Sequence, residues 1–113
     1  MCGIAGELRF EAGPSPADWA TLSALMARRG PDDEGLWSDE AHCTLAFRRL
    51  AILDLSPNGH QPMATPDGRY TLVFNGELYN FTELRARLAA HGVRFRSTGD
   101  AEVVLHALAT WGH

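Results

Sequence analysis

The chain has 113 residues, and 10 Lys and Arg against 14 Asp and Glu give it a formal net charge of −4. Hydrophobic residues make up 45% and charged residues 21%, which suits one globular domain or a piece of one and is too apolar for intrinsic disorder. No apolar run approaches the ~18 residues of a membrane span, the start Met1-Cys2-Gly3-Ile4 has no leader-like pattern, and no Lys/Arg run is long enough to grip nucleic acid.

The opening segment, residues 1–10, is apolar with interspersed glycines and predicts a β-strand. A Gly/Pro loop follows. Asp18 is then placed to cap a helix over 19–28, with Trp19, Leu22, Leu25 and Met26 along one face. Gly30-Pro31 stops it. Short strands are expected at 36–38 and 44–47, with 50–53 continuing the second or beginning another. Residues 56–63 read as an irregular loop. Residues 69–74 (RYTLVF) predict a strand rich in β-branched and aromatic residues. Asn75-Gly76 breaks it. Residues 81–91 predict an amphipathic helix closed by Gly92. A short strand is expected at 93–95 and a last helix from Ala101 to about Trp111. Strands that follow one another directly, mixed with helices, indicate an α+β or layered α/β domain rather than a βαβ repeat.

Four positions carry candidate chemistry, each with a plainer alternative. Cys2 becomes N-terminal if Met1 is removed, as it is when the second residue is small. A thiol would then share a residue with an α-amine of pKa ~8, a built-in general base. Alternatively, Cys2 is a small residue in a first strand. Asn75-Gly76 offers an amide and a backbone N–H for an oxyanion, or a hairpin turn. Arg49 suits bidentate binding of a carboxylate, or solvation on an edge strand. Asp100 suits a substrate ammonium, or caps the last helix. His42, Cys43 and His60 lack the paired spacing of a zinc site, so no metal is expected. Two cysteines are too few for a disulfide scaffold and, with no export signal, point to a cytoplasmic protein. Asp32, Asp33 and Glu34 read as a solvated acidic cluster.

Six segments occur in a telling order: Met1-Cys2-Gly3-Ile4-Ala5-Gly6, Arg29-Gly30-Pro31-Asp32, Arg49-Leu50-Ala51-Ile52, His60-Gln61-Pro62-Met63, Phe74-Asn75-Gly76-Glu77-Leu78-Tyr79-Asn80 and Ser97-Thr98-Gly99-Asp100-Ala101-Glu102. Together they resemble the class II glutamine amidotransferase domain, in the form found at the N-terminus of glutamine-hydrolysing asparagine synthetases. The resemblance implies an N-terminal nucleophile hydrolase fold, an α+β arrangement (αββα) of stacked antiparallel sheets between helical layers. Residues 1–113 would be the N-terminal part of that domain, truncated at its C-terminus and lacking the synthetase domain.

By the same resemblance Cys2 is the nucleophile and Asn75 and Gly76 form the oxyanion hole. Arg49 holds the glutamine α-carboxylate beside the backbone of Leu50, Ala51, Ile52 and Leu53, while Glu77 and Asp100 stand near the α-ammonium. The implied activity is glutamine hydrolysis through a cysteinyl thioester, supplying ammonia for ATP-dependent asparagine synthesis from aspartate. The alternatives are a different acceptor within the family, or an inactive fragment. The glutaminase step implies no cofactor; ATP and Mg2+ belong to the synthetase domain. Implied partners are glutamine, that missing domain and a second copy in a homodimer, with neither nucleic acid nor membrane. The chain departs from the family pattern at Phe47 and Arg28, where histidine is usual.

Overall fold

The computed structural model describes residues 1–112. It is an α+β arrangement of two antiparallel sheets, three α-helices and one short 3-10 helix (Pro57–Gly59). Strands β1 (Gly3–Leu8), β2 (Asp33–Ser38) and β3 (Cys43–Arg49) form one sheet in the order β1-β3-β2. The central strand β3 is the one whose residues are buried on both faces, with Thr44 and Ala46 on one and Phe47 and Arg49 on the other. Arg49 is therefore no solvated edge residue: it is 8% exposed.

Pairing sets Ile4 and Gly35 opposite Phe47, and Gly3 and Glu34 opposite Arg48. Helix α1 (Trp19–Leu25) lies on the Gly3 face, where a Cβ on Gly3 would come 3.1 Å from the Met26 side chain. Asp18 caps α1 as expected, accepting from the Thr21 N–H. The helix ends at Leu25, short of Arg28, and Arg28 lies exposed in the following turn. The expected apolar stripe is not buried, since Leu25 remains 75% exposed.

Residues 50–53 neither extend β3 nor start a strand; they form a loop at its end. The expected strand 69–74 is mostly unladdered, because only β5 (Thr71–Leu72) pairs, with β4 (Met63–Ala64). Beyond β5 a side chain replaces a strand. Gln61 Oε1 accepts from the Phe74 N–H (2.6 Å), and Gln61 Nε2 donates to the Phe74 carbonyl (3.4 Å). Gln61 stands beside the first sheet because residue 35 is glycine: a Cβ there would strike the Gln61 carbonyl. The Gln61–Pro62 peptide is cis.

Helix α2 (Phe81–Ala90) ends as the sequence predicts, with Gly92 at φ +92°. The Gly92 N–H donates to Ala89 and the Val93 N–H to Leu88, the paired bonds of a Schellman cap. That cap spends the Val93 amide, and residues 93–95 form no strand. Helix α3 (Asp100–Trp111) packs against α2, burying Leu88, Val103 and Leu105. Its cap is Gly99, so Asp100 is the first helical residue rather than the cap. Inside α3, Glu102 is 2% exposed and accepts from the Arg96 N–H, the Ser97 N–H and the Ser97 hydroxyl. That carboxylate folds the connection between α2 and α3.

Candidate active site

Three segments meet at one end of the sheet: the chain start, the loop after β3, and the stretch from Phe74 to the start of α3. They enclose a cleft of about 550 Å³. Cys2, Arg49, Leu50, Ile52, Leu53, Asn75, Gly76, Glu77 and Asp100 all line it. Ala51 does not, because its N–H turns away to Asp32 Oδ2 (2.8 Å).

Cys2 is half-buried, and its thiol meets both main-chain groups of Leu50. The Leu50 N–H donates to Sγ (3.3 Å), and Sγ–H donates to the Leu50 carbonyl (3.7 Å). Cys43, at the far end of β3, is a different thiol. Burial, and secondarily the Asp39 carboxylate, push it above its ordinary value, which leaves it largely protonated and unreactive.

Asn75 and Gly76 do not form a hairpin; they lead from β5 toward α2. Among the described residues neither the Asn75 side-chain amide nor the Gly76 N–H has a hydrogen-bond partner, so both donors are unspent. A Cβ on Gly76 would come within 3.1 Å of the Phe74 ring, which keeps this corner closely packed. Glu77 is exposed, with no ion pair among the described residues. Asp100 is 9% exposed, and its Oδ2 accepts from the Leu78 N–H (2.9 Å), tying the 75–80 turn to α3.

Arg49 is the cation inside the cleft. Its Nη1 donates to the Ser56 carbonyl (2.7 Å) and its Nη2 to the Asp54 carbonyl. Five guanidinium N–H groups are available, so three remain after these two bonds. No carboxylate among the described residues lies within ion-pairing distance. A Cβ on Gly59 would strike this guanidinium, so glycine there makes room for it. Phe47, where histidine is usual in the resembled family, is 1% exposed and forms part of the cleft wall.

Sequence reasoning missed Asp54. Its Oδ1 accepts from the Ser56 N–H and its Oδ2 from the Thr98 N–H, both at 2.8 Å. The bonds from Ser56 and then Thr98 hold its carboxyl at about 2, below the ordinary 3.8. It fastens the Arg49 loop to the segment that leads into Asp100. An Asp two residues before a Ser hints at the first bond; the second spans 44 positions and leaves no local trace. Asp32 was likewise passed over as solvated. The weak metal candidates are dispersed, His42 on the Arg9 carbonyl and His60 on Asp33, and no group of three potential ligands forms among the described residues. No described helix is long and apolar enough to cross a membrane.

Comparison with known proteins agrees with this geometry. A family model for the glutamine amidotransferase domain matches residues 1–113. A glutamine-hydrolysing asparagine synthetase of Bacillus subtilis is 40% identical over 117 residues, covering 100% of this chain and 18% of the relative. A putative glutamine-hydrolysing asparagine synthetase of Mycobacterium tuberculosis is 40% identical over 129 residues, covering 99% of this chain and 20% of the relative. The amidase chry2 of Gibberella zeae is 42% identical over 89 residues, covering 78% of this chain and 13% of its own length. The chain thus spans a fifth or less of the curated relatives it matches, and corresponds to the glutaminase part of the two synthetases. With a family match from end to end and its motif residues gathered around one cleft, this chain belongs to the glutamine amidotransferase domain family.

Proposed function

We propose that this chain hydrolyses glutamine to glutamate and ammonia through a thioester on Cys2. The observation that carries the reading is the composition of the cleft: one thiol, two unspent oxyanion donors, one cation and three carboxylates around a single space, of which Asp54 is spent on the Ser56 and Thr98 N–H groups. Glutamine is a zwitterion with an amide, and these groups complement each part of it. The remaining Arg49 N–H groups take the α-carboxylate. On the carboxylate side the Ile52 and Leu53 N–H groups, which have no partner among the described residues, add donors, while Glu77 and the free oxygen of Asp100 face the α-ammonium.

The chemistry follows from balance. With Met1 removed, the Cys2 α-amine accepts the thiol proton as Sγ attacks the glutamine side-chain carbonyl carbon. The oxygen becomes an oxyanion held by the Asn75 amide and the Gly76 N–H. The C–N bond breaks, the proton passes to nitrogen, and ammonia leaves. Water then cleaves the γ-glutamyl thioester, giving glutamate and restoring the thiol. Thiol suits this role because it is intrinsically nucleophilic and partly ionised near neutrality. The step uses no metal or cofactor.

The layered N-terminal nucleophile hydrolase fold belongs to the same reading. Ile4 and Leu8, 47% and 74% exposed, share the sheet face opposite α1, where a second sheet would stack. In a full-length protein the ammonia would serve ATP-dependent asparagine synthesis from aspartate, with ATP and Mg2+ held by a synthetase domain, in the cytoplasm and as a homodimer. One observation favours a second reading, a different acceptor: the relative named as an amidase matches as well in identity as the synthetases do.

The test is labelling of the full chain with a diazoketone analogue of glutamine. Cys2 should be modified and Cys43 spared, and Cys2→Ala should abolish glutamine hydrolysis while sparing any ammonia-dependent synthesis. Labelling at Cys43 alone, or undiminished hydrolysis by Cys2→Ala, would refute the nucleophile. An active preparation that retains Met1, seen by intact mass, would refute the α-amine as base.

A further inference from the structure

The oxyanion donors lie on a stretch of chain that is held only at its two ends. Among the described residues Asn75, Gly76 and Glu77 make no hydrogen bond, main-chain or side-chain. The downstream end is the Leu78 N–H, which donates to Asp100 Oδ2. The upstream end is Phe74, and one side chain holds both of its main-chain groups. Gln61 Oε1 accepts from the Phe74 N–H (2.6 Å), and Gln61 Nε2 donates to the Phe74 carbonyl (3.4 Å). That carbonyl belongs to the same planar peptide as the Asn75 nitrogen, so holding it sets where Asn75 begins.

The surroundings of Gln61 explain why a side chain does this. Met63 pairs with Leu72, and two steps along the same antiparallel register bring Gln61 level with Phe74. The Gln61 main chain is drawn against β2 instead, where its carbonyl fills the space a Cβ on residue 35 would need. The side chain is left to bridge to Phe74. It is 5% exposed and forms part of the cleft wall. A primary amide presents a donor and an acceptor together, which is what the two main-chain groups of one residue require.

We propose that Gln61 is a positioning residue for the oxyanion hole, acting through the Phe74–Asn75 peptide. The proposal rests on the reading of Asn75 and Gly76 as oxyanion donors. Such donors act on a charge that exists only after Sγ has attacked, so their displacement lowers turnover rather than substrate binding. The groups assigned to the substrate's α-carboxylate and α-ammonium are held by other bonds: Arg49 by the Asp54 and Ser56 carbonyls, Asp100 by the Leu78 N–H.

The experiment is steady-state ammonia release from glutamine by the full chain, with the product glutamate as competitive inhibitor. Gln61→Met keeps the length of the side chain and removes both bonds. It should lower kcat by about tenfold to hundredfold, the scale of a misplaced rather than a missing donor. KM for glutamine and the inhibition constant of glutamate should stay within about twofold, and the second value also reports that the cleft is folded. In an Asn75→Ala background the same Gln61 substitution should lower kcat by about threefold or less, because the donor it positions is gone. A role in stability alone would multiply in full. Should Gln61→Met weaken glutamate binding, Gln61→Glu carries the test. It keeps an acceptor for the Phe74 N–H and loses the donor to the Phe74 carbonyl, so a smaller loss, still confined to kcat, is expected. An unchanged kcat in a folded Met or Glu variant, a loss confined to KM, or a full Gln61 effect on top of Asn75→Ala would overturn the proposal. An unchanged kcat in Asn75→Ala alone would refute the oxyanion reading and this proposal together, so the two failures are told apart by which single variant is silent.

Discussion

Asp54 joins two chain segments 44 positions apart, and its contribution is open to measurement through pH. The perturbation is Asp54→Asn. Bonds from the Ser56 side chain first, then from the Thr98 and Ser56 N–H groups, hold its carboxyl at about 2 instead of 3.8. A folded-state value below the unfolded one means that the unfolded chain binds the proton more readily, so stability rises with pH across this interval. Lowering a carboxyl that far is worth about 2 kcal/mol at neutral pH. The contribution is essentially whole above about pH 4.5, about half remains near pH 3, and little is left below pH 2. Asparagine keeps one acceptor but turns an NH2 toward the other N–H, so it loses the charge and one bond. The assay is urea unfolding followed by tryptophan fluorescence at pH 7, 4 and 3. The unsubstituted chain should exceed the variant by about 2 kcal/mol at pH 7, and the gap should close as pH falls toward 2. A gap that stays constant from pH 7 to 3, or one below about 0.5 kcal/mol at pH 7, would show that these bonds do not stabilise the fold as the geometry requires.

Two further predictions concern the cleft in a glutamine-hydrolysing preparation. Asn75→Ala removes an unspent donor and should lower kcat by roughly 10²–10³-fold with little change in KM, read from steady-state ammonia release. An effect confined to KM would place Asn75 on the substrate ground state instead. Arg49→Ala should raise KM for glutamine by the loss of a charge-assisted bond, worth about 1.5–3 kcal/mol. Because Arg49 also holds the Asp54 and Ser56 carbonyls, the same change should lower the urea midpoint; an unaltered KM would remove the carboxylate role while leaving the structural one.

The parts of this molecule legible in the sequence are those written in neighbouring residues. The α2 helix and its Gly92 cap follow from apolar spacing and a glycine that tolerates positive φ, and Asp18 ahead of α1 follows from side-chain reach over three residues. The cleft was legible because its motifs sit in short, chemically distinctive runs: of the nine expected site residues besides Cys2, all but Ala51 line it, although they are far apart in sequence or lie in loops whose shape no periodicity describes, as Arg49, Asn75 and Asp100 show. What stayed hidden depends on distant partners. Residues 69–74 have strand composition, yet the ladder stops after Leu72 because Gln61 supplies the hydrogen bonds that a strand would. Val93 has strand propensity, yet its amide is spent on the α2 cap. Asp32, Asp54 and Glu102 look like surface carboxylates, and each in fact serves backbone N–H groups elsewhere in the chain.

The antiparallel register of β1 on β3 has a consequence for how the nucleophile is placed. Gly3 stands opposite Arg48, so one step further along the chain Cys2 comes level with Arg49, on the sheet face that looks into the cleft. Side chains alternate between faces at every residue, and the choice of face is therefore arithmetic rather than chemical. One residue inserted between Cys2 and Gly3 would leave every motif readable and turn the thiol toward α1, away from Arg49 and Asn75. Two inserted residues would restore the face but carry the thiol about 7 Å along the strand direction, past the Leu50 peptides. The spacing from Cys2 to the first paired residue is thus as strict a requirement as the identity of Cys2 itself.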